Sequence, residues 1–498
     1  MGRISFASKD VSVETVEKGT LVPESPRPPT STPEEIAMEQ PEWRATEKSL
    51  VRKLDMSLLP VVWTLYMFNF LDRNNLAQAK LDGFEKHLGL VGNQFNTAVS
   101  IFNVGYMTAQ LPSNMLITRV RPSIYIPCCV ILWSCVSAST AAATNFSSLV
   151  VIRVFLGVVE APFFPGTPQV IYILSCWYTQ KELAFRTAIL YSGMLVATAF
   201  AGLIAAAVFA HLDGVRGLHG WQWLFIIEGA GSFASAFTAL AFLPDYIGSK
   251  TGVCSWLMSE EELRVAKMRM DADRVSVPEE KGTVWHGLRL AVTDVKTWGF
   301  VCLNVFFLSC HGLTSFFPTI VQGFKLGSNT IALVLTAPPY LLAAVISIGV
   351  AMSSDRRGER GLHIVAPLCV AMIGYIITAS TVNSPVRYFA SFLFVPGAFA
   401  PTGLIFSWAA STLSATPEKR AAATAIVCLL AQLGGIWGPY FFRPQDSPRY
   451  LLAFCLMLMF SCLTVGMVFV MRLALSRENG KIVGEAEGTS RRVRLYML

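Results

Sequence analysis

Arg153 and Glu160 stand seven residues apart inside an otherwise apolar stretch, residues 149–173. Seven residues are two helical turns, so both side chains fall on one helix face. An ionisable group in the core of a bilayer costs several kcal/mol unless it is paired or wetted, which makes such residues functional suspects. The arginine can fork two parallel hydrogen bonds to a carboxylate, a geometry lysine cannot copy. Glu160 feels two opposed effects: burial favours its neutral form, and a neighbouring arginine favours its charged form. A solute anion that engages the arginine removes the second effect, and the acid then takes a proton. One cation and one titratable acid on one face therefore suit a device that moves anions together with protons. The same two residues could instead form an ion pair that locks the helix to a neighbour.

A second ionisable pair, Asp72 and Arg73, lies in LDRNN near the outer end of the first apolar span. Adjacent helical residues point about 100° apart, so the two cannot face one way. One of them meets a neighbouring helix while the other faces a central cavity, or both lie in the headgroup layer, where arginine snorkels. Further polar side chains within spans are Asn103, Tyr106, His311, Trp408 and Gln432, candidates for contacts to a solute. His311 either titrates near neutral pH or hydrogen-bonds a backbone carbonyl. Glu228, near the start of the sixth span, is expected to be structural and bonded to loop donors. Pro162, Pro165 and Pro168 follow Glu160 and should loosen the second part of the fourth span, for gating or for packing. Gly434 and Gly438 form a GxxxG spelling, a close-packing signal.

These residues need a membrane-spanning scaffold, and the composition supplies one. Of 498 residues, 53% are hydrophobic and only 15% are charged, against about 25% charged in soluble domains. The net charge of +7 sits in short clusters between apolar runs, which is membrane topology and not a nucleic-acid face. The eleven cysteines show no CxxC or Cys/His spacing, so no metal site and no cofactor are expected.

Residues 1–47 are polar and rich in Pro, Ser, Thr and Glu, and read as a disordered cytosolic tail. Apolar spans follow at 57–77, 94–117, 123–143, 149–173, 186–210 and 222–243, then at 298–321, 330–352, 362–382, 388–412, 420–442 and 450–472. The pattern predicts an all-α membrane protein of twelve transmembrane helices in two six-helix halves, 48–243 and 298–472. A cytosolic loop, 244–297, joins them, and a cytosolic tail, 473–498, closes the chain. Two such halves place a site between them at mid-membrane depth. Most of the 40 Lys and Arg fall in segments that are inside when both termini are inside, so cytosolic termini are expected. Ser259 with Glu262 spells a capping box and predicts a short amphipathic helix on the cytosolic face, with Arg264, Lys267 and Arg269 solvated. Arg119 and Arg121 follow the second span; Asp355 and Arg356 follow the eighth. Such loops can close the cytosolic side by pairing with acids on neighbouring helix ends, or simply anchor it.

The motifs LDRNNLAQAK (71–80), LPSNMLITRVRP (111–122), RVFLGVVEAPFFPG (153–166), WQWLFIIEGAGSF (221–233), FFPTIVQGF (316–324) and KRAAATAI (419–426) resemble the major facilitator superfamily. More closely, they are similar to its anion:cation symporter branch, in the fungal group of allantoate, nicotinate and pantothenate permeases. The resemblance runs from about residue 50 to 475. It implies a twelve-helix alternating-access carrier in which Arg73 and Arg153 receive an organic carboxylate while Asp72 and Glu160 handle the proton. The loop at 113–127 lacks the full Asp-Arg-x-Gly-Arg signature, which only 353–360 approaches. His311 stands where relatives often carry an aromatic, and Gln432 where they often carry Asn. The fifth span lacks the Gly-Pro-rich signature of drug/proton antiporters.

The expectation is a monomeric, multi-pass carrier of the plasma membrane, not an enzyme. It takes up a small organic carboxylate, vitamin-like or a ureide, together with protons, and its other partner is the lipid bilayer. The alternatives are an exporter of an acidic metabolite with the same fold and a non-transporting membrane sensor.

Overall fold

The computed structural model describes residues 41–117, 120–161, 173–174, 177–245, 256–273, 284–413, 417–486 and 496–497. Apolar runs of this length become helices because helix alone satisfies every backbone N–H and C=O within one membrane-crossing segment. The first half contains α1 (Pro41–Ala79), α2 (Gln94–Ile117), α3 (Pro122–Ser139), α4 (Phe146–Glu160), α5 (Gln180–Leu212) and α6 (Gly220–Phe242). Two shorter helices follow, α7 (Glu260–Asp273) and α8 (Val284–Thr293). The second half begins with α9 (Val295–Ser309), which continues through a 3-10 turn, Cys310–Ser315, into the short helix Phe317–Gly323. It goes on through α10 (Ala337–Arg357), α11 (Gly361–Ser380), α12 (Ser384–Phe399), α13 (Thr402–Thr412), α14 (Pro417–Ala431) and α15 (Leu451–Ala486). Among the described residues, ten spans are long and apolar enough to cross a bilayer; α2 and α4 take the two remaining places among twelve. The first helix starts at Pro41, ahead of the expected boundary at 48, and the last runs on to Ala486, past 472.

Within the first half α2 packs on α4, α3 on α6, and α1 on both α5 and α6. In the second, α11 packs on α12 and α15, and α9 on α14 and α15. The halves meet where α5 lies along α10 and where the short helix Leu433–Trp437 lies on α2. We call the end that carries the start of α1 and the end of α15 proximal, and the other end distal.

Glycine brings α2 and α4 together. A Cβ on Gly157 would overlap the Phe102 carbonyl, and one on Gly105 would overlap the Val154 carbonyl. Without those side chains the two backbones touch, which fixes the register of Arg153 and Glu160 against α2. Asn145 caps the start of α4 by accepting from the Ser148 N–H at 2.9 Å. The GxxxG glycines also sit at a close approach: a Cβ on Gly434 would come 2.6 Å from the Ser309 nitrogen, and one on Gly438 3.3 Å from its carbonyl oxygen.

Among the described residues, the ion pairs at the proximal end hold each half to itself. Asp55 accepts two bonds from Arg186, at 2.7 and 2.8 Å. Arg360 pairs with Asp355 at 2.9 Å, and Glu359 pairs with Arg472. The capping box of α7 is formed, the Ser259 N–H donating to Glu262 and the Glu262 N–H to Ser259. Glu262 also pairs with Lys53 at 2.8 Å, tying α7 to α1. One expectation for α7 is corrected. Arg269 is not on a solvated face: it is buried, donates to the Trp177 carbonyl at 2.6 Å, and pairs with Glu182 at 3.2 Å. Helical spacing alone could not show that α5 leans over that face. Helix α8 carries no sequence expectation.

Candidate functional site

A central cavity of about 210 Å³ lies between the halves. The first half presents Arg73 and Asn74 from α1, Asn103 from α2, Arg153 from α4 and Thr198 from α5. The second presents His311 from the 3-10 turn, Thr402 from α13 and Gln432 beside α14. Its walls are aromatic, with Phe70, Phe102, Phe399 and Phe406. Apolar walls with a few convergent polar groups are the general form of a small-molecule site.

Consecutive residues of α1 fan out as helical geometry requires. Asn69 and Arg73, four apart and so on one face, both reach Glu160 Oε2: the Asn69 amide donates at 3.0 Å and the Arg73 Nε at 2.8 Å. Asn74 turns to α5 and donates to the Thr198 hydroxyl at 3.1 Å. Asp72 points the other way, between α3 and α6, where Ser137 and Ser232 donate to its two oxygens at 3.0 and 2.8 Å. Of the two openings left by the sequence, Arg73 is the residue that faces the cavity; Asp72 is fully buried behind it.

The pairing of charges differs from the simplest expectation. Arg153 and Glu160 do share a face of α4, but the group bonded to Glu160 is Arg73. Its guanidinium also lies 4.9 Å from the ring centre of Phe102 and 5.3 Å from those of Phe70 and Tyr106, a cradle of the kind cations favour. Arg153 is 3% exposed and lines the cavity, with Asp72 and Glu160 as its electrostatic neighbours. Its Nε and Nη2 find no hydrogen-bond acceptor among the described residues. Buried donors left open cost free energy, so an acceptor supplied from the cavity would be favoured there.

The remaining expected residues divide clearly. Asn103 lines the cavity and ties the halves together, donating to the Gly435 carbonyl at 2.9 Å. His311 lines it from the second half, with Nδ1 3.2 Å from the Phe307 carbonyl oxygen and its ring edge-on to Phe307 and Phe399. Its Nε2 has no partner among the described residues. Gln432 also lines the cavity. Tyr106 stands behind Arg73 and does not reach the lining.

Trp408 is corrected as a solute contact. It is buried against Phe300 and donates from Nε1 to the Met497 carbonyl at 3.0 Å, away from the cavity. Helix α13 turns Thr402 and Phe406 to the cavity instead. Among the residues expected to gate, Arg121 and Arg356 are exposed and make no ion pair among the described residues; Asp355 pairs with Arg360. Arg119 and the three prolines after Glu160 lie outside the described residues. Glu228 is buried in α6 facing Asn75, not loop donors. Sequence reasoning passed over Asn69, Asn74 and Thr198. The i, i+4 spacing of Asn69 and Arg73 was the available signal for the first; the other two depend on which faces of α1 and α5 meet.

Comparison with known proteins adds three findings. The sequence model of the Major Facilitator Superfamily matches residues 62–439. Curated relatives include the MFS-type transporter cnsO of Penicillium expansum, 35% identical over 82% of this chain and 80% of its own length. They also include the high-affinity nicotinic acid transporter of Saccharomyces cerevisiae, 30% identical over 87% of this chain and 79% of its own length. Among solved structures, a bacterial homologue of the human lysosomal transporter Spinster, inward-facing and occupied, matches with a TM-score of 0.63 at 17% identity. That match covers 83% of this chain and 96% of the homologue. The Escherichia coli xylose transporter XylE, inward-open and partially occluded, matches with a TM-score of 0.60 at 14% identity, over 82% and 96%.

Proposed function

The chain belongs to the Major Facilitator Superfamily of membrane transporters, and we propose that it carries a small organic monocarboxylate into the cell together with a proton. The observation that supports this most is Arg153, buried on the cavity wall, whose Nε and Nη2 find no acceptor among the described residues. A carboxylate is the ligand whose two oxygens match a guanidinium fork. The aromatic walls suit a flat or apolar body, and His311 Nε2 and Gln432 stand opposite to read its far end. Nicotinic acid, for which the yeast relative is named, has this chemistry.

Coupling follows from the second arginine. Glu160 holds Arg73 at 2.8 Å. A solute carboxylate arriving on Arg153 competes for Arg73, and Glu160, released from its cation while still buried, is then stabilised by taking a proton. Neutralisation of this kind lets the loaded site cross from one side to the other, since moving an unpaired charge through the bundle is costly. Energetics call for the proton as well. An inside-negative potential opposes entry of a monoanion by about 2.3 kcal/mol per 100 mV, and one co-transported proton cancels that term. In this arrangement the termini face the cytosol, the distal end faces outward, and the carrier works as a monomer in the plasma membrane.

The test is uptake of radiolabelled monocarboxylates by a strain that lacks its own permeases, with and without a protonophore. Saturable uptake that the protonophore abolishes is expected. Uptake of a cation or a neutral solute in its place, or uptake indifferent to the protonophore, would overturn the proposal; net efflux of the labelled acid would reverse its direction.

A further inference from the structure

Lys80 directly follows α1 at the distal gate, outside the lining of the central cavity, and none of the chemistry above uses it. Its ammonium lies 3.1 Å from Glu85 Oε1, 4.2 Å from the ring centre of Phe95 and 5.2 Å from that of Phe316. Glu85 and Phe95 belong to the first half, Phe316 to the second. Phe316 is itself braced, edge-on to Phe95 and stacked on Phe442 at 4.7 Å. Neutral hydrogen bonds surround this cluster: Asn96 donates to the Pro439 and Phe442 carbonyls at 3.0 and 3.1 Å, and Asn329 to the Leu81 carbonyl at 3.1 Å. Beside it lies a second cavity of about 370 Å³, lined from both halves by Lys80, Glu85, Thr319, Gln322 and Tyr450 among others.

Apolar surfaces and amide bonds would close such a gate without a cation, and enclosing an ammonium costs free energy unless it is paired. The Lys80–Glu85 pair lies within one half, so it survives opening unchanged. What closure adds is the face of Phe316, and a cation–π contact strengthens as water leaves it. When the halves part at this end, that ring withdraws. The ammonium is then left at the rim of the mouth, beside the second cavity, with one carboxylate neighbour and water.

We propose that Lys80 is a two-state residue of the distal gate: a cation–π clasp to Phe316 when the gate is closed, and the entry point for the solute's carboxylate when it is open. The second role rests on the carboxylate uptake proposed above; the first does not.

Both roles can be read in the full-length carrier in cells. For the clasp, a Val99→Cys substitution, on the cavity wall one turn below Phe95, is labelled from outside with an impermeant maleimide without added solute. Label on the carrier lacking that substitution is subtracted, and rates are normalised to surface expression. Lys80→Gln and Phe316→Leu should each raise the labelling rate about three- to tenfold, as expected for loss of a desolvated cation–π contact. The double substitution should add little to the larger single effect, and Lys80→Arg should stay near the parent. Unchanged rates, or fully additive ones, overturn the clasp. For entry, kcat/KM for carboxylate uptake is compared at low and high ionic strength. Lys80→Gln should lower the low-salt value and flatten its salt dependence, whereas Phe316→Leu, which keeps the charge, should preserve the slope. A Lys80→Gln slope equal to the parent's overturns the entry role. Because the labelling needs no solute, failure of the carboxylate reading would leave the clasp result standing.

Discussion

Replacing Glu160 with Gln separates binding from coupling. The substitution keeps the side chain's volume and a hydrogen-bonding oxygen 2.8 Å from Arg73 Nε, but removes the charge and the exchangeable proton. In a one-to-one symport with a monoanion the membrane potential does no net work, and accumulation follows the pH gradient, about tenfold per unit. Without the proton the same solute crosses as an anion. An inside-negative potential of 100 mV then opposes it by about 2.3 kcal/mol, or about fiftyfold at about 1.4 kcal/mol per decade. With one pH unit and 100 mV imposed across proteoliposomes, the steady-state accumulation ratio of Glu160→Gln should therefore fall by about five hundredfold. Exchange of labelled for unlabelled solute at equal pH needs no net proton movement and should persist, because Arg153 is untouched and Arg73 is freed. An unaltered accumulation ratio under the pH gradient would refute the assignment of the proton to Glu160. Loss of exchange as well would show that the acid's role is to hold Arg73 in place.

Other substitutions probe the scaffold and the solute's anchor. Arg153→Lys should weaken solute binding about ten- to a hundredfold, the value of a charge-assisted hydrogen bond, with little change in maximal rate; equal dissociation constants in a binding titration would remove Arg153 from the site. Gly157→Ala sets a methyl group against the Phe102 carbonyl and should cost about 1–3 kcal/mol as overpacking does, lowering the thermal midpoint and raising KM together as Arg153 is displaced. In α7, burial pushes the Glu262 carboxyl up, but bonds from Lys53, the Ser259 N–H and the Ser49 hydroxyl outweigh it and leave the group below its ordinary value. Its contribution to stability is therefore complete above the unfolded carboxyl value of about 4.3 and is lost as pH falls through the lower folded value. Glu262→Gln should lower the melting temperature by about 1–2 °C at neutral pH and remove that part of its acid dependence, measured by thermal unfolding in detergent between pH 7 and pH 3.

The route of the chain was legible because a bilayer leaves few choices. Twelve apolar stretches, two halves and the intervening capped helix follow from the need to satisfy backbone groups in lipid and from the Ser259–Glu262 spelling. Parts of the site were legible for a related reason: Arg73, Arg153 and Glu160 are too costly to bury in an apolar run without a task. Errors arose where one helix's periodicity does not say which neighbour it meets. Trp408 sits in a span and is polar at one edge, yet α13 turns it to the tail residue Met497. Arg269 fits a solvated stripe, yet Trp177 and Glu182 cover it.

By itself, then, the sequence determined the architecture and the small set of charges that must be answered for inside it, since hydrophobic length and the energetic penalty of buried ions are local properties. Only the tertiary structure decided who answers whom. It gave Glu160 to Arg73 and Asn69, sent Asp72 to two serines on the far side of the same helix, and left Arg153 facing the cavity. Those outcomes depend on helix rotation and on the glycine contact between α2 and α4, which arise from packing residues distant in the chain and leave no periodic trace within it.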